Sequence, residues 1–101
     1  MNTQGFTPVE TKTLSGTDTS SSVTFTTATG GAVSQIRVVN TGANTVFLRW
    51  GTSAQTAVAA TDLPVPAGAV EIFNKGHATI VAGICASGQT ATVYISAGEG
   101  M

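Results

Sequence analysis

The sequence is poor in charge. Its 101 residues include four Lys or Arg and five Asp or Glu, so charged residues make up 9%, against about 25% in a typical soluble domain. Four basic residues cannot supply the positively charged stripe that nucleic-acid binding needs. A formal net charge of −1 gives little electrostatic protection against self-association. We therefore expect no nucleic-acid partner, and a chain that associates with itself or with other proteins.

Long apolar runs and cysteine pairs are also missing. No run approaches the ~20 apolar residues of a membrane helix, and the first eight residues lack the basic and apolar segments of a signal peptide. Cys85 is the only cysteine, which excludes a disulfide within one chain and fits synthesis in a reducing cytoplasm. We expect no membrane partner and a protein made in the cytoplasm.

Groups for catalysis or metal binding are scarce and scattered. His77 and Cys85 are the only imidazole and thiol, and their separation along one predicted strand is too large for a catalytic pair. Gly30 and Gly31 are not followed by a helix and form no phosphate loop. The acidic residues show no metal-ligand spacing; they are Glu10, Asp18, Asp62, Glu71 and Glu99. We expect no enzyme, no metal and no cofactor.

Short runs of alternating apolar and polar residues fill most of the chain. Such runs predict β-strands over residues 11–14, 22–27, 33–40, 45–50, 69–73, 78–85 and 90–96, with an extended proline-containing stretch at 63–68. The run at 78–85 is the most apolar and predicts a strand that is central or buried on both faces. The sequence thus predicts an all-β fold: a small antiparallel β-sandwich, jelly-roll-like, with seven or eight short strands. We expect one domain over residues 1–101 with an extended N-terminal arm of about residues 1–8.

Residues 33–50 carry the clearest hairpin pattern, because two alternating runs flank Thr-Gly-Ala-Asn. A three-residue loop, Gly42 to Asn44, would turn the apolar residues of both strands to one side. A two-residue loop would shift the register by one and bury Arg49. We therefore predict a hairpin with the odd loop and five core-facing residues: Ile36, Val38, Val46, Leu48 and Trp50.

The other face of this predicted hairpin carries Arg37, Val39, Phe47 and Arg49. Two interpretations remain open. The face is solvated and Phe47 is covered by a neighbouring loop, or the face is a contact surface, since aromatic residues and Arg are enriched at protein interfaces. On the second interpretation the candidate interface consists of these four residues together with Phe6, an apolar anchor of the arm.

Four segments of the chain resemble a group of small virion proteins that tailed bacteriophages encode near their capsid genes. The segments are GFTPV at residues 5–9, VVNTGANTVFLRWG at 38–51, LPVPAGAVEIF at 63–73 and ATVYISAGEG at 91–100. The resemblance implies a decoration, or cement, protein: a β-sandwich or jelly-roll module on the outer capsid surface that braces neighbouring major capsid protein subunits. The expected partners are the major capsid protein and further copies of the chain, as a homodimer or homotrimer.

Two other classes of function remain as alternatives. A phage fibre module that binds a receptor or glycan would expose a flat aromatic platform, for which Tyr94, Phe73 and Phe47 are the candidates. An enzyme is the third class, and the scattered titratable groups disfavour it. A stable homo-oligomer without glycan binding would support the capsid interpretation.

Overall fold

The structure is a computed structural model, and it describes residues 7–26, 34–53, 55–57 and 61–99. These residues form eight β-strands and no helix. In chain order the strands are β1 (Thr7–Gly16), β2 (Ser21–Thr24), β3 (Gln35–Asn40), β4 (Val46–Gly51), β5 (Leu63–Val65), β6 (Val70–Asn74), β7 (Ile80–Cys85) and β8 (Ala91–Glu99). The described part of the chain accordingly has no helix that could span a membrane.

The strands form two four-stranded antiparallel sheets that pack face to face. The first sheet has the order β1-β8-β3-β6 and the second the order β2-β7-β4-β5. Consecutive strands therefore alternate between the sheets over much of the chain, which is the strand order of an eight-stranded jelly roll. The predicted all-β, jelly-roll-like sandwich is confirmed.

The core lies between the sheets and is formed by alternate residues of each strand. Ile36 and Val38 of β3 face Val46 and Leu48 of β4 across it, and all four side chains are almost fully buried. The central strands β7 and β8 contribute further buried side chains, as expected for strands with neighbours on both sides. The remaining large members of the cluster are Leu14, Phe25, Val65, Val81, Cys85, Val93 and Ile95.

The predicted hairpin between β3 and β4 is wrong. β3 pairs with β6 and β8, whereas β4 pairs with β5 and β7 in the other sheet. The segment between them carries the chain from one sheet to the other. The predicted core faces are nevertheless right, because two strands on opposite sides of a sandwich also turn their apolar residues toward a common core.

Asn40 holds this crossing in place. Its side chain is fully buried, and its Nδ2 donates to the carbonyls of Asn44 at 2.9 Å and Val65 at 3.0 Å. Its Oδ1 accepts a hydrogen bond from the Gly42 amide at 3.0 Å. One side chain thus connects β3, the crossing segment and β5.

The predicted strand ends differ from the structure at both ends of the chain. β1 begins at Thr7 and contains Pro8 in an edge strand, so the last two residues assigned to the arm belong to this strand. β8 continues to Glu99, because Ala97 and Gly98 pair with both β1 and β3. The predicted strand over residues 90–96 therefore ends too early. The rest of the arm lies outside the described residues.

Candidate assembly surface and cleft

The outer face of the first sheet carries a continuous apolar area over β3 and β6. Tyr94 of β8 lies directly beside Val39, and Val39 beside Val70. Ile72 lies beside Arg37 in the next row. Val70, Ile72 and Tyr94 are 50%, 40% and 42% exposed. We call these five residues the sheet-1 patch: Arg37, Val39, Val70, Ile72 and Tyr94.

The other half of the same face is polar. β1 and β8 present hydroxyl-bearing side chains there, and Thr11 and Ser96 are joined by a hydrogen bond of 2.9 Å. Arg37 stands at the border between the two halves, exposed and without an ion-pair partner in the described part of the chain. An exposed apolar area bordered by polar groups is typical of a protein interaction site.

The structure divides the predicted interface between two opposite surfaces. Arg37 and Val39 belong to the sheet-1 patch, whereas Phe47 and Arg49 lie on the outer face of the second sheet, because their neighbours Val46 and Leu48 face the core. The predicted arrangement of Phe47 between two arginines is therefore wrong. It depended on the hairpin. Phe6 lies outside the described residues.

The segment that follows β4 covers part of the second sheet's outer face. The Ala57 amide donates to Ser20 Oγ at 2.9 Å, and the Ala57 side chain is buried. Ser20 directly precedes the edge strand β2. If the pairing of β2 with β7 is continued by one residue, Ser20 lies in the same row across the sheet as Phe47 of β4, with β7 between them. Phe47 itself is only partly exposed on this face. Its partial exposure is compatible with both interpretations given for it.

An apolar cleft of about 420 Å³ opens at the edge of the sandwich, between β4 and β5 on one side and β6 on the other. Trp50 faces inward as predicted, but it is only partly buried, and its ring lies 5.3 Å from that of Phe73 at an angle of 38°. The ion pair between Arg49 and Asp62, 3.2 Å apart, borders the opening. We call this the Trp50 cleft; its described lining is Leu48, Arg49, Trp50, Asp62, Leu63 and Phe73.

A second cavity, of about 340 Å³, lies at one end of the sandwich. It is formed where the end of β1, the crossing segment after β3 and the start of β8 meet. Its walls are mostly hydroxyls and backbone, with the Asn44 side chain donating to the Thr90 carbonyl at 2.8 Å. No charged side chain lines it among the described residues. It offers no base or nucleophile.

The titratable groups do not come together. His77 is exposed in the turn before β7, and Cys85 is buried at the far end of that strand. Burial raises the pKa of the Cys85 thiol and so disfavours the reactive thiolate. Desolvation lowers the pKa of Lys75, which is 5% exposed. Within the described ranges no three His, Cys, Asp or Glu side chains lie close enough to hold a metal ion.

Comparisons with known proteins give the fold and no family. No protein-family model matches the chain, and no characterised protein matches its sequence significantly. A solved structure of Bacillus endospore appendages, described as disulfide-linked pili, is similar with a TM-score of 0.50 and 13% identity over 97% of this chain and 94% of that one. The hydroxypropylphosphonic acid epoxidase of S. wedmorenis in complex with fosfomycin is similar with a TM-score of 0.50 and 14% identity over 88% of this chain. This chain spans only 42% of the epoxidase chain.

Proposed function

We propose that the chain is a structural virion protein of a tailed bacteriophage. It decorates the outer capsid surface and stabilises the capsid by binding the lattice of the major capsid protein. The observation that carries the proposal is the sheet-1 patch, an exposed apolar area on a molecule that has few charged residues. The resemblance of four segments to phage decoration proteins supplies the identity of the partner.

The sheet-1 patch fits this role because of how its side chains are held. Val39, Val70 and Ile72 are β-branched and project from adjacent strands, so they lose little conformational freedom on binding. Tyr94 adds a large ring with a polar end, a combination that is common at interfaces. Arg37 can pair with a carboxylate of the partner. The patch therefore offers apolar contact with one directional polar group beside it.

Binding to undecorated capsid shells of the encoding virus tests this proposal. Ile72→Glu places a charge among the apolar side chains of the patch, and we expect it to weaken shell binding by about thirtyfold or more, the effect of losing a major apolar contact. Thr24→Glu is the matched control, because Thr24 is exposed on β2 of the other sheet. It should bind like the wild type. Equal binding by both variants would contradict the use of the patch, and no binding by the wild type would contradict the proposal.

A receptor- or glycan-binding fibre module is the second candidate, and the Trp50 cleft favours it. Sugar sites commonly combine an aromatic ring with nearby charged and polar groups, and here Trp50 stands close to Arg49 and Asp62. Saturable quenching of Trp50 fluorescence by an oligosaccharide, with no binding to capsid shells, would favour this candidate over the first.

The likeness to pilus subunits concerns the fold alone, yet it is compatible with a sandwich that serves as a repeating unit. Linkage of copies by disulfides through Cys85 is disfavoured here, since this only cysteine is 1% exposed. Copies of the chain would instead associate by non-covalent contacts.

A further inference from the structure

The Trp50 cleft is an aromatic site beside a strand edge. Trp50 and Phe73 are partly buried against the core, and both also line the cleft. β6 is the edge strand of the first sheet, so the backbone groups on its outer side have no strand partner among the described residues. An aromatic side chain on an extended segment fits such a place, because its ring can pack against both aromatic rings while its backbone runs along β6.

The chain contains such a segment immediately before β1. Phe6 precedes Thr7, the first residue of β1, and is followed shortly by Pro8, which favours extended backbone. Residues 1–6 contain no charged side chain that an apolar cleft would reject. Phe6 is also the only aromatic residue before Phe25.

The strand that Phe6 precedes lies at the edge of the first sheet farthest from the Trp50 cleft. β1 and β6 are the two opposite edges of the first sheet, separated by three strand spacings, or roughly 14 Å. One step along the chain from Thr7 covers only about 3.8 Å. This separation favours the cleft of a neighbouring molecule over that of the same molecule as the place where Phe6 binds.

We propose that Phe6 of one copy occupies the Trp50 cleft of a second copy, with the arm running beside β6. This inference rests on the proposed assembly function and names one of its contacts. It requires a partner of the same sequence, and because each molecule donates an arm at one edge and accepts one at the other, it links copies head to tail. Such contacts close into rings when the rotation between copies allows it.

Trp50 is the only tryptophan, so its fluorescence reports directly on the cleft. The full-length wild type and Phe6→Ala are compared over a concentration series, with oligomer size measured by sedimentation. We expect the wild-type emission to move to shorter wavelength as copies associate, because Phe6 excludes water from Trp50. Phe6→Ala should associate about thirtyfold more weakly and keep the emission of an exposed ring. Val9→Ala, the matched loss of an exposed apolar residue in β1, should behave like the wild type.

A peptide of residues 1–8 provides the second measurement. Added to Phe6→Ala, it should shift Trp50 emission to shorter wavelength, whereas the same peptide carrying Phe6→Ala should not. If the Phe6→Ala protein fails to fold, the peptide is added to the wild type, where it should dissociate the oligomer while circular dichroism stays unchanged.

The inference is overturned if Trp50 emission responds neither to concentration nor to the peptide, or if an oligosaccharide shifts it and the peptide does not. Its failure is distinguishable from failure of the proposed function. Shell binding with an unresponsive Trp50 overturns only the Phe6 contact. A Trp50 response without shell binding supports the contact and overturns the capsid role.

Discussion

Asn40 is a polar residue that is fully buried and stabilises the fold through hydrogen bonds. Its carboxamide makes three hydrogen bonds inside the protein, to Asn44, Val65 and Gly42. Its own backbone adds two more, donating to the Ala69 carbonyl and accepting from the Gly68 amide. A buried amide is tolerated when its donors and acceptors are matched in this way.

Removing this side chain should therefore be costly. We predict that Asn40→Ala lowers the free energy of unfolding by about 1–3 kcal/mol or more, because it leaves buried carbonyls and an amide without partners. Asn74→Ala is the control, since Asn74 is exposed at the end of β6. Urea denaturation measures both. Equal stability of the two variants would show that the crossing segment does not depend on Asn40.

Sequence patterns predict some residue roles and miss others for a physical reason. Alternation within one strand identifies Ile36, Val38, Val46 and Leu48 as core residues, because burial on a strand has a period of two. Asn40 cannot be identified in this way. Val65, one of its side-chain hydrogen-bond partners, becomes a neighbour only after the chain has crossed to the second sheet and formed β4 and β5.

At the scale of the strands, local signals give their positions but not their partners. The prolines around Val65 fit either a crossing between the sheets or an edge strand, since Pro64 cannot donate to a central ladder, and the structure shows an edge strand. The apolar run of β7 correctly indicates a central strand. The Thr-Gly-Ala-Asn sequence predicts a hairpin turn, but the same residues also suit a corner between two sheets. The partners of β3 are β6 and β8, which lie far from it in the sequence, so the local turn does not identify them.

The absence of the predicted hairpin between β3 and β4 changes the expected effect of substituting Phe47. The hairpin interpretation makes it an assembly residue whose loss spares the fold. In the structure Phe47 lies on the outer face of the central strand β4 and is only partly exposed. We therefore predict that Phe47→Glu destabilises the fold, by about 1–3 kcal/mol, through loss of apolar burial and partial burial of a charge.

Ile72→Glu is the comparison, because it introduces the same charge at an outward-facing strand position where the side chain is exposed, on the edge strand β6 of the other sheet. Its melting temperature should stay close to that of the wild type. If Phe47→Glu melted like the wild type and bound capsid shells less well, the outer face of the second sheet would be the functional surface instead of the sheet-1 patch.

At the scale of the whole molecule, the two outer faces of the sandwich differ in kind. The outer face of the second sheet is partly covered by the chain's own segment between β4 and β5. The outer face of the first sheet carries the sheet-1 patch, and its exposed apolar residues find no cover among the described residues. Because the molecule has few charges, we expect the proposed attachment to a capsid lattice to depend on apolar contacts, and the outer face of the first sheet is the one that offers them.

The fold class was predictable because short runs of alternating apolar and polar residues, separated by turn residues, recur along much of the chain. The location of the proposed assembly surface was only half predictable. Arg37 and Val39 were identified from the outward positions of β3, whereas Val70, Ile72 and Tyr94 join them only through pairing across three strands. Sequence alternation shows which residues point outward from each strand, but it does not show which strands share a sheet.

Cryo-electron microscopy of virions tests the central claim most directly. We predict sandwich-shaped density on the outer surface of the shell, with the outer face of the first sheet against the major capsid protein and Ile72 and Tyr94 buried in the contact. Shells that carry no such density, or density in which this face points to solvent, would contradict the proposed function and the surface assigned to it.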